Sequence, residues 1–219
     1  MKNLALLLIS FALLKSSVAQ KNDLKFGTRV TMGQSEFMGD QFQNKNAGLY
    51  IGMGGTANYQ FNRFLGLMGD MMIVKKTTFI RDNESGGFIG NPNNYEYSDK
   101  YNFYQLELPL MAKLRIGSEH FGVKFFAGPS IGFNLLASQS RIYDNRDYDA
   151  QYGYRSEPIN NMNVLEKGMV YGLGLEILSK QNELFFVDLR NSHSISPLGR
   201  VNGNDIRINN FALSLGWLF

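Results

Sequence analysis

The chain has 219 residues, of which 44% are hydrophobic, 13% aromatic and 19% charged, with a formal net charge of +3. This length fits one large domain or two small ones, and the composition excludes a charge-rich disordered protein. The absence of cysteine excludes a disulfide scaffold, a thiolate metal site, a cysteine nucleophile and a lipid anchor on cysteine. Because only His120 and His193 offer imidazole ligands, the sequence predicts neither a resident metal nor a cofactor.

Residues 1–19 are predicted to be a secretory signal peptide. Lys2 supplies a short positive region, Leu4–Leu14 is apolar, and Ser17–Ala19 are small residues that suit cleavage after Ala19. Removing this segment takes away two lysines and no acid, so the net charge falls from +3 to +1. A charge this small gives no support for nucleic-acid binding. We therefore expect residues 20–219 to form a single exported domain.

The exported domain is predicted to consist of β-strands. It has no run of about 18 apolar residues, so helical membrane spans are excluded there. Apolar and polar residues alternate with period two, over lengths near the roughly ten residues that a tilted strand needs to cross a bilayer. In chain order, the eight predicted strands are Leu24–Val30, Leu49–Tyr59, Leu65–Lys75, Phe103–Ile116, Phe121–Ala137, Met169–Leu178, Leu184–Asn191 and Ile208–Phe219.

The connections between these strands alternate between long and short. This alternation is typical of an all-β, eight-stranded antiparallel up-and-down transmembrane β-barrel, with short periplasmic turns and long external loops in an outer membrane. A soluble β-sandwich is the alternative, although it has no reason to place every long loop at one end. The short connections are Asn62–Arg63, Gly117–His120 and Ser179–Glu183. The long connections are Met32–Asn46, Lys76–Lys100, Ser138–Asn163 and Ser192–Asp205.

Charge parity along the strands favours the membrane barrel. In a barrel wall, alternate side chains face lipid and lumen, and a Lys or Arg at mid-bilayer depth costs about 2–4 kcal/mol. The charges on the lipid-facing parity are Lys75, Lys167 and Arg207, each at the external end of its strand. The other strand charges share the lumen parity, and we predict that they form an ionic network: Arg29, Asp70, Glu107, Lys113, Arg115, Lys124, Glu176, Asp188 and Arg190.

An eight-stranded barrel is wide enough only for side chains, and charges buried there need partners. The sequence therefore predicts a lumen plugged by charged pairs. The expected depth of each charged residue along the barrel indicates that Lys113 should pair with Glu176 or Asp188. Arg29 or Arg190 should pair with the acids nearer the external end, Asp70 and Glu107.

Four motifs resemble a known family. Leu106–Lys113 reads LELPLMAK, Phe126–Pro129 reads FAGP, Gly172–Gly174 reads GLG, and Leu213–Phe219 reads LSLGWLF. Together these motifs resemble the PorT-like outer-membrane β-barrel domain common in Bacteroidota. The resemblance spans most of the exported domain and implies an eight-stranded barrel, but it implies little about activity. It also implies that Trp217 and Phe219 form the terminal signal read by the barrel-assembly machinery.

Two clusters are weak candidates for chemistry. His193 lies among serines in Ser192–Ser196, which could serve nucleophilic acyl transfer, but this spacing departs from that of lipid-modifying barrels and more simply indicates a polar strand end. Asp144, Asp147 and Asp149 are spaced like Ca²⁺ ligands, but an EF-hand glycine and terminal glutamate are missing. The arginines among them indicate a salt-bridged loop: Arg141, Arg146 and Arg155. We therefore predict no catalytic and no metal site.

The predicted function is that of a non-enzymatic outer-membrane barrel with a structural or interaction role. Its membrane partner is outer-membrane lipid. Asn91–Tyr104 and Arg141–Tyr154 are rich in Tyr, Asn, Asp and Arg, a composition that suits either a protein or glycan partner or ordinary anchoring at the membrane interface. The alternatives are a narrow pore for small solutes, a lipid-modifying enzyme and a component of a secretion system.

Overall fold

The computed structural model describes residues 23–38, 44–85, 94–118, 120–143, 149–150, 153–159, 161–179, 183–201 and 204–219. Within these ranges, three short strands accompany the long ones: β6 (Tyr154–Pro158), β9 (Gly199–Val201) and β10 (Asn204–Ile206). The long strands are β1 (Asp23–Phe37), β2 (Lys45–Gln60), β3 (Leu65–Ser85), β4 (Asn94–Gly117), β5 (Phe121–Tyr143), β7 (Leu165–Leu178), β8 (Leu184–Ser194) and β11 (Ile208–Leu218).

The long strands form a closed barrel. Each is antiparallel to the strand that precedes it in the barrel, and β1 pairs with β11 to close the cylinder. In this closing seam Arg29 lies opposite Gly216. The prediction of an eight-stranded antiparallel β-barrel is therefore confirmed. Among the described residues, no helix has the length and apolar character required to cross a membrane.

The two ends of the barrel differ. The connections at 61–64, 118–120 and 179–183 define one end, which we call the short-turn end, and the chain terminus at Phe219 pairs with Phe26 near it. The other connections define the long-loop end. Side chains alternate along the wall: in β8, Val187 and Leu189 are exposed on the outer face, whereas Asp188 and Arg190 are buried inside.

Several predicted loops are wrong in extent because the strands continue into them. β3 and β4 remain paired as far as Ser85 and Asn94, within the predicted connection Lys76–Lys100. In the other three predicted long connections, some residues also belong to β-strands. Polar composition suggested that the strands stop at the membrane surface. Backbone hydrogen bonds can continue beyond that surface, however, because water satisfies the polar side chains there.

An apolar lid covers the interior at the long-loop end. Leu198 directly precedes β9 and Ile206 is the last residue of β10, and both are fully buried. The Leu198 N–H donates to the Ile206 carbonyl oxygen (2.7 Å), and the Asn163 N–H donates to the Leu198 carbonyl oxygen (2.7 Å). The described residues 195–201 and 204–207 therefore fold back over the barrel mouth. The lid cluster consists of Phe37, Tyr101, Phe103, Leu198, Ile206 and Ile208.

Leu198→Ala should open this lid. Truncating a buried leucine costs about 2–5 kcal/mol, and here the loss falls on the contacts that hold β9 and β10 down. Trypsin cleavage after Arg200, whose side chain is exposed, reports the opening. We expect faster cleavage in Leu198→Ala than in the control Ile195→Ala, which truncates an outward side chain. Equal cleavage rates in the two variants would argue against a packed lid.

Candidate functional site

The barrel interior is the candidate functional site because the structure gathers the charged side chains there. Eight of the nine predicted network residues are buried, and the ninth, Arg115, is partly buried with its guanidinium beside Glu176. The geometry divides them into three levels between the short-turn end and the lid.

The middle level is a chain of alternating charges. Arg29 Nη1 lies 2.9 Å from Asp188 Oδ2, and Arg29 Nε lies 3.4 Å from Asp70 Oδ1. Arg190 Nη1 is 2.9 Å from Asp70 Oδ2, and Lys124 Nζ is 2.9 Å from Asp188 Oδ1. Each carboxylate thus bridges two cations from different strands, and the chain of pairs crosses the lumen.

The level near the short-turn end is centred on one carboxylate. Glu176 Oε1 lies 3.3 Å from Lys113 Nζ and 3.5 Å from Lys124 Nζ, and its Oε2 lies 3.2 Å from Arg115 Nε. Lys113 therefore has an acidic partner, one of the two expected from its depth. Three cations around one acid leave this level with a surplus of positive charge.

The level beneath the lid contains two residues that sequence reasoning missed. Lys76 Nζ lies 2.9 Å from Glu107 Oε1 and 3.3 Å from Glu166 Oε2. Lys76 forms the direct ion pair with Glu107, whereas Arg29 and Arg190 pair directly with Asp70, one of the two acids that they were expected to serve. Lys76 lies an even number of residues after Asp70, and Glu166 an even number before Glu176, so each faces the lumen like its counterpart. Extending the alternation beyond the predicted strand ends would have found both.

Further polar side chains complete this upper level. The Tyr50 hydroxyl donates to Glu107 Oε2 (3.0 Å), Gln105 Nε2 donates to Glu166 Oε2 (2.7 Å), and the Ser194 hydroxyl donates to Glu166. A cavity of about 10 Å³ lies beside them, lined by Lys76, Glu107, Glu166, Ser192 and Asn210 among others. A cavity of this size has room for about one water molecule.

Aromatic rings fill the space that the charges leave. The Phe186 ring packs against two cations, with its centroid 4.5 Å from Arg29 Cζ and 4.0 Å from Lys124 Nζ. A Cβ at Gly216 would overlap this ring, so glycine is required there for the ring to fit. Small residues on the lumen parity thus make room for large ones, and together they pack the interior.

The serine and histidine side chains of the weak catalytic candidate point to opposite sides of the wall. Ser192 and Ser194 are buried inside the barrel. His193 lies on the outer face, where its ring centroid is 6.2 Å from that of Tyr171. Because neighbouring side chains in a strand alternate, this segment cannot bring the imidazole to either flanking serine hydroxyl.

The predicted carboxylate cluster is only partly described. Asp144, Asp147 and Arg146 lie outside the described residues, and Asp149 accepts a hydrogen bond from the Tyr143 N–H (3.0 Å). Arg141 contacts Asp99 through two hydrogen bonds of 2.7 and 2.8 Å. The part of the chain that the structure describes contains no group of three or more His, Cys, Asp or Glu side chains placed to hold a metal. His120 is exposed at the short-turn end.

The C-terminal aromatics lie on the outer face at the short-turn end. The Trp217 ring stacks on Phe185 with centroids 5.8 Å apart, and it meets Phe219 edge-on at 5.9 Å. The Phe219 N–H donates to the Phe26 carbonyl oxygen (2.8 Å). The last residue of the chain is therefore held in the closing seam, with its ring pointing outward.

The sequence matches the model of the outer membrane protein beta-barrel domain family over residues 18–199. Because this match covers most of the chain, the protein belongs to that family. With the closed barrel, this makes it a transmembrane protein of the outer membrane. A comparison with curated proteins gives no match.

Solved outer-membrane barrels are similar in fold. Ail of Yersinia pestis, in complex with the heparin analogue sucrose octasulfate, is 16% identical, with a TM-score of 0.43 over 90% of this chain and 99% of Ail. OprG of Pseudomonas aeruginosa is 12% identical, with a TM-score of 0.42 over 89% and 92%. A major outer membrane protein from Thermus thermophilus is 11% identical, with a TM-score of 0.45 over 90% and 99%.

Proposed function

We propose that this protein is a non-enzymatic barrel with a structural or interaction role, and that the connections at the long-loop end carry this role. In this proposal, residues 1–19 are a cleaved signal peptide, the short turns face the periplasm, and the long-loop end faces the exterior. Trp217 and Phe219 serve as the signal for the barrel-assembly machinery. The partner at the exterior is a protein or a glycan, and nucleic acid plays no part.

The packed interior is the observation that carries this proposal. Ion pairs cross the lumen at three levels, Phe186 fills the space beside them, and the lid around Leu198 covers the upper level. A barrel with such an interior offers its outer surface and its ends to other molecules. This arrangement supports a role at the loops over a role in passing solutes.

A narrow pore is the second candidate. It would need a continuous water path past Asp188 and Glu176, where buried charges are in direct contact. An enzyme would need a site that brings a nucleophile to a base, and the opposite orientations of His193 and Ser194 count against the candidate in the sequence. The PorT-like affiliation and a part in secretion stay predictions from the motifs.

Single cysteines can test the proposed orientation, because the natural chain contains none. Arg200→Cys places a thiol at the long-loop end, and Ser118→Cys places one at the short-turn end, both at exposed positions. We expect a membrane-impermeant maleimide to label the first on intact cells and the second only after lysis. The reverse pattern would place the long-loop end in the periplasm and contradict the proposal. Mobility on unheated gels checks that both variants are folded.

A further inference from the structure

The outer wall has two exposed cations near the long-loop end. Lys167 on β7 and Arg207 just before β11 are exposed on the outer face, on either side of β8. The Ile195 N–H donates to the Lys167 carbonyl oxygen (2.8 Å), and the β8–β11 register ends at Asn209 opposite His193, two residues from Arg207. The two cations therefore flank β8, and neighbouring strands are about 4.8 Å apart.

Below these cations, the outer face changes from polar to apolar. His193 lies opposite Met169 on one side and Asn209 on the other, and Asn191 follows two residues lower. We call Lys167, Arg207, His193, Asn209 and Asn191 the rim patch. Below the rim patch, the same three strands present only apolar side chains in the next outward row: Leu173, Leu189 and Leu213.

Nearby acids already have partners. Glu36 lies opposite Asn209 on β1, and its Oε1 is 3.7 Å from Lys45 Nζ. Asp205 Oδ1 accepts a hydrogen bond from Arg200 Nε (3.0 Å). Neither Lys167 nor Arg207 forms an ion pair within the described part of the chain. The rim patch therefore presents two uncompensated positive charges above hydrogen-bonding side chains.

We propose that the rim patch binds the phosphate group of a phosphorylated membrane lipid. Lys167 and Arg207 would contact the phosphate, because both give charge-assisted hydrogen bonds to phosphate oxygens. His193, Asn191 and Asn209 lie where the polar part of the lipid joins its acyl chains, and the leucine row below matches the chains themselves. This vertical order of charge, hydrogen-bonding groups and apolar surface is that of a lipid molecule in the adjacent leaflet.

Lipid titration of the folded protein tests this site. The protein in a neutral detergent is titrated with bis-phosphorylated lipid A, with dephosphorylated lipid A and with inorganic phosphate, and the complexes are measured by native mass spectrometry. We expect the phosphorylated lipid to bind and the other two to bind far more weakly. A basic residue near an anionic surface contributes about fivefold in affinity, so Lys167→Gln with Arg207→Gln should weaken binding about 25-fold.

Lys75→Gln is the matched control. Lys75 also points outward toward the long-loop end, but it lies on β3 beside the Tyr104 ring, away from the rim patch. We expect this variant to bind the phosphorylated lipid like the wild type. Equal losses in Lys75→Gln and Lys167→Gln would indicate diffuse attraction and overturn the site. Equal binding of the phosphorylated and dephosphorylated lipids, or of inorganic phosphate alone, would also overturn it. Mobility on unheated gels confirms that each variant is folded.

Discussion

Asp188→Asn is expected to lower the free energy of unfolding by about 3–5 kcal/mol. The Asp188 carboxylate lies 2.9 Å from Arg29 and 2.9 Å from Lys124, and all three side chains are buried. The substitution preserves size but removes the negative charge between the two cations. Uncompensated charge in a dry interior is costly, because water cannot replace the lost partner.

Urea unfolding in lipid vesicles measures this loss, with the fluorescence of the single tryptophan, Trp217, as the probe. Asp205→Asn is the matched control, because it removes the same charge from an exposed pair with Arg200. Pairs of that kind contribute at most about 1 kcal/mol. If the two variants unfold at the same urea concentration, the interior pairs do not stabilise the barrel as the geometry indicates.

Leu110→Arg is expected to impair assembly of the barrel, because it places a charge in the lipid. Leu110 is 58% exposed on the outer face of β4, near the middle of the apolar run between Leu106 and Ile116. An arginine at mid-bilayer depth costs about 2–4 kcal/mol. We expect less folded protein on unheated gels and a lower urea midpoint for the fraction that folds.

Val164→Arg controls for the effect of adding an arginine. Val164 is 73% exposed at the long-loop end, just before β7. The cost of a charge falls to about 0–1 kcal/mol near the membrane interface, so this variant should assemble normally. If Leu110→Arg assembles as well as Val164→Arg, the face assigned to lipid is wrong.

The barrel wall could be predicted from the sequence because lipid imposes a strict alternation. Leu189 and Arg190 are neighbours in the chain, yet one is exposed on the outer face and the other is buried in the interior. The cost of a charge in lipid permits few exceptions, so parity alone separates the two faces. The strand ends were harder to predict, because beyond the membrane surface a polar residue can lie in a paired strand or in a loop.

The pairing inside the barrel could be predicted only in part. The depth of each residue along its strand predicted an acidic partner for Lys113, and in the structure that partner is Glu176. It did not lead to Lys76 and Glu166, because both lie beyond the predicted strand ends. The lid was also missed. Leu198 and Ile206 lie beside polar and glycine residues in the sequence, and only tertiary packing shows that both side chains are buried against Phe37 and Tyr101.

We propose that packed side chains close the interior to ions. Single-channel recording in planar bilayers tests it most directly, with the purified folded protein and a water-filled porin as the positive control. We predict no ohmic steps from the wild-type barrel under conditions in which the porin conducts, because contacts such as Lys124–Asp188 and the lid around Leu198 close the path. Steady ohmic conductance that requires the inserted barrel would contradict the packed interior and establish the narrow pore instead.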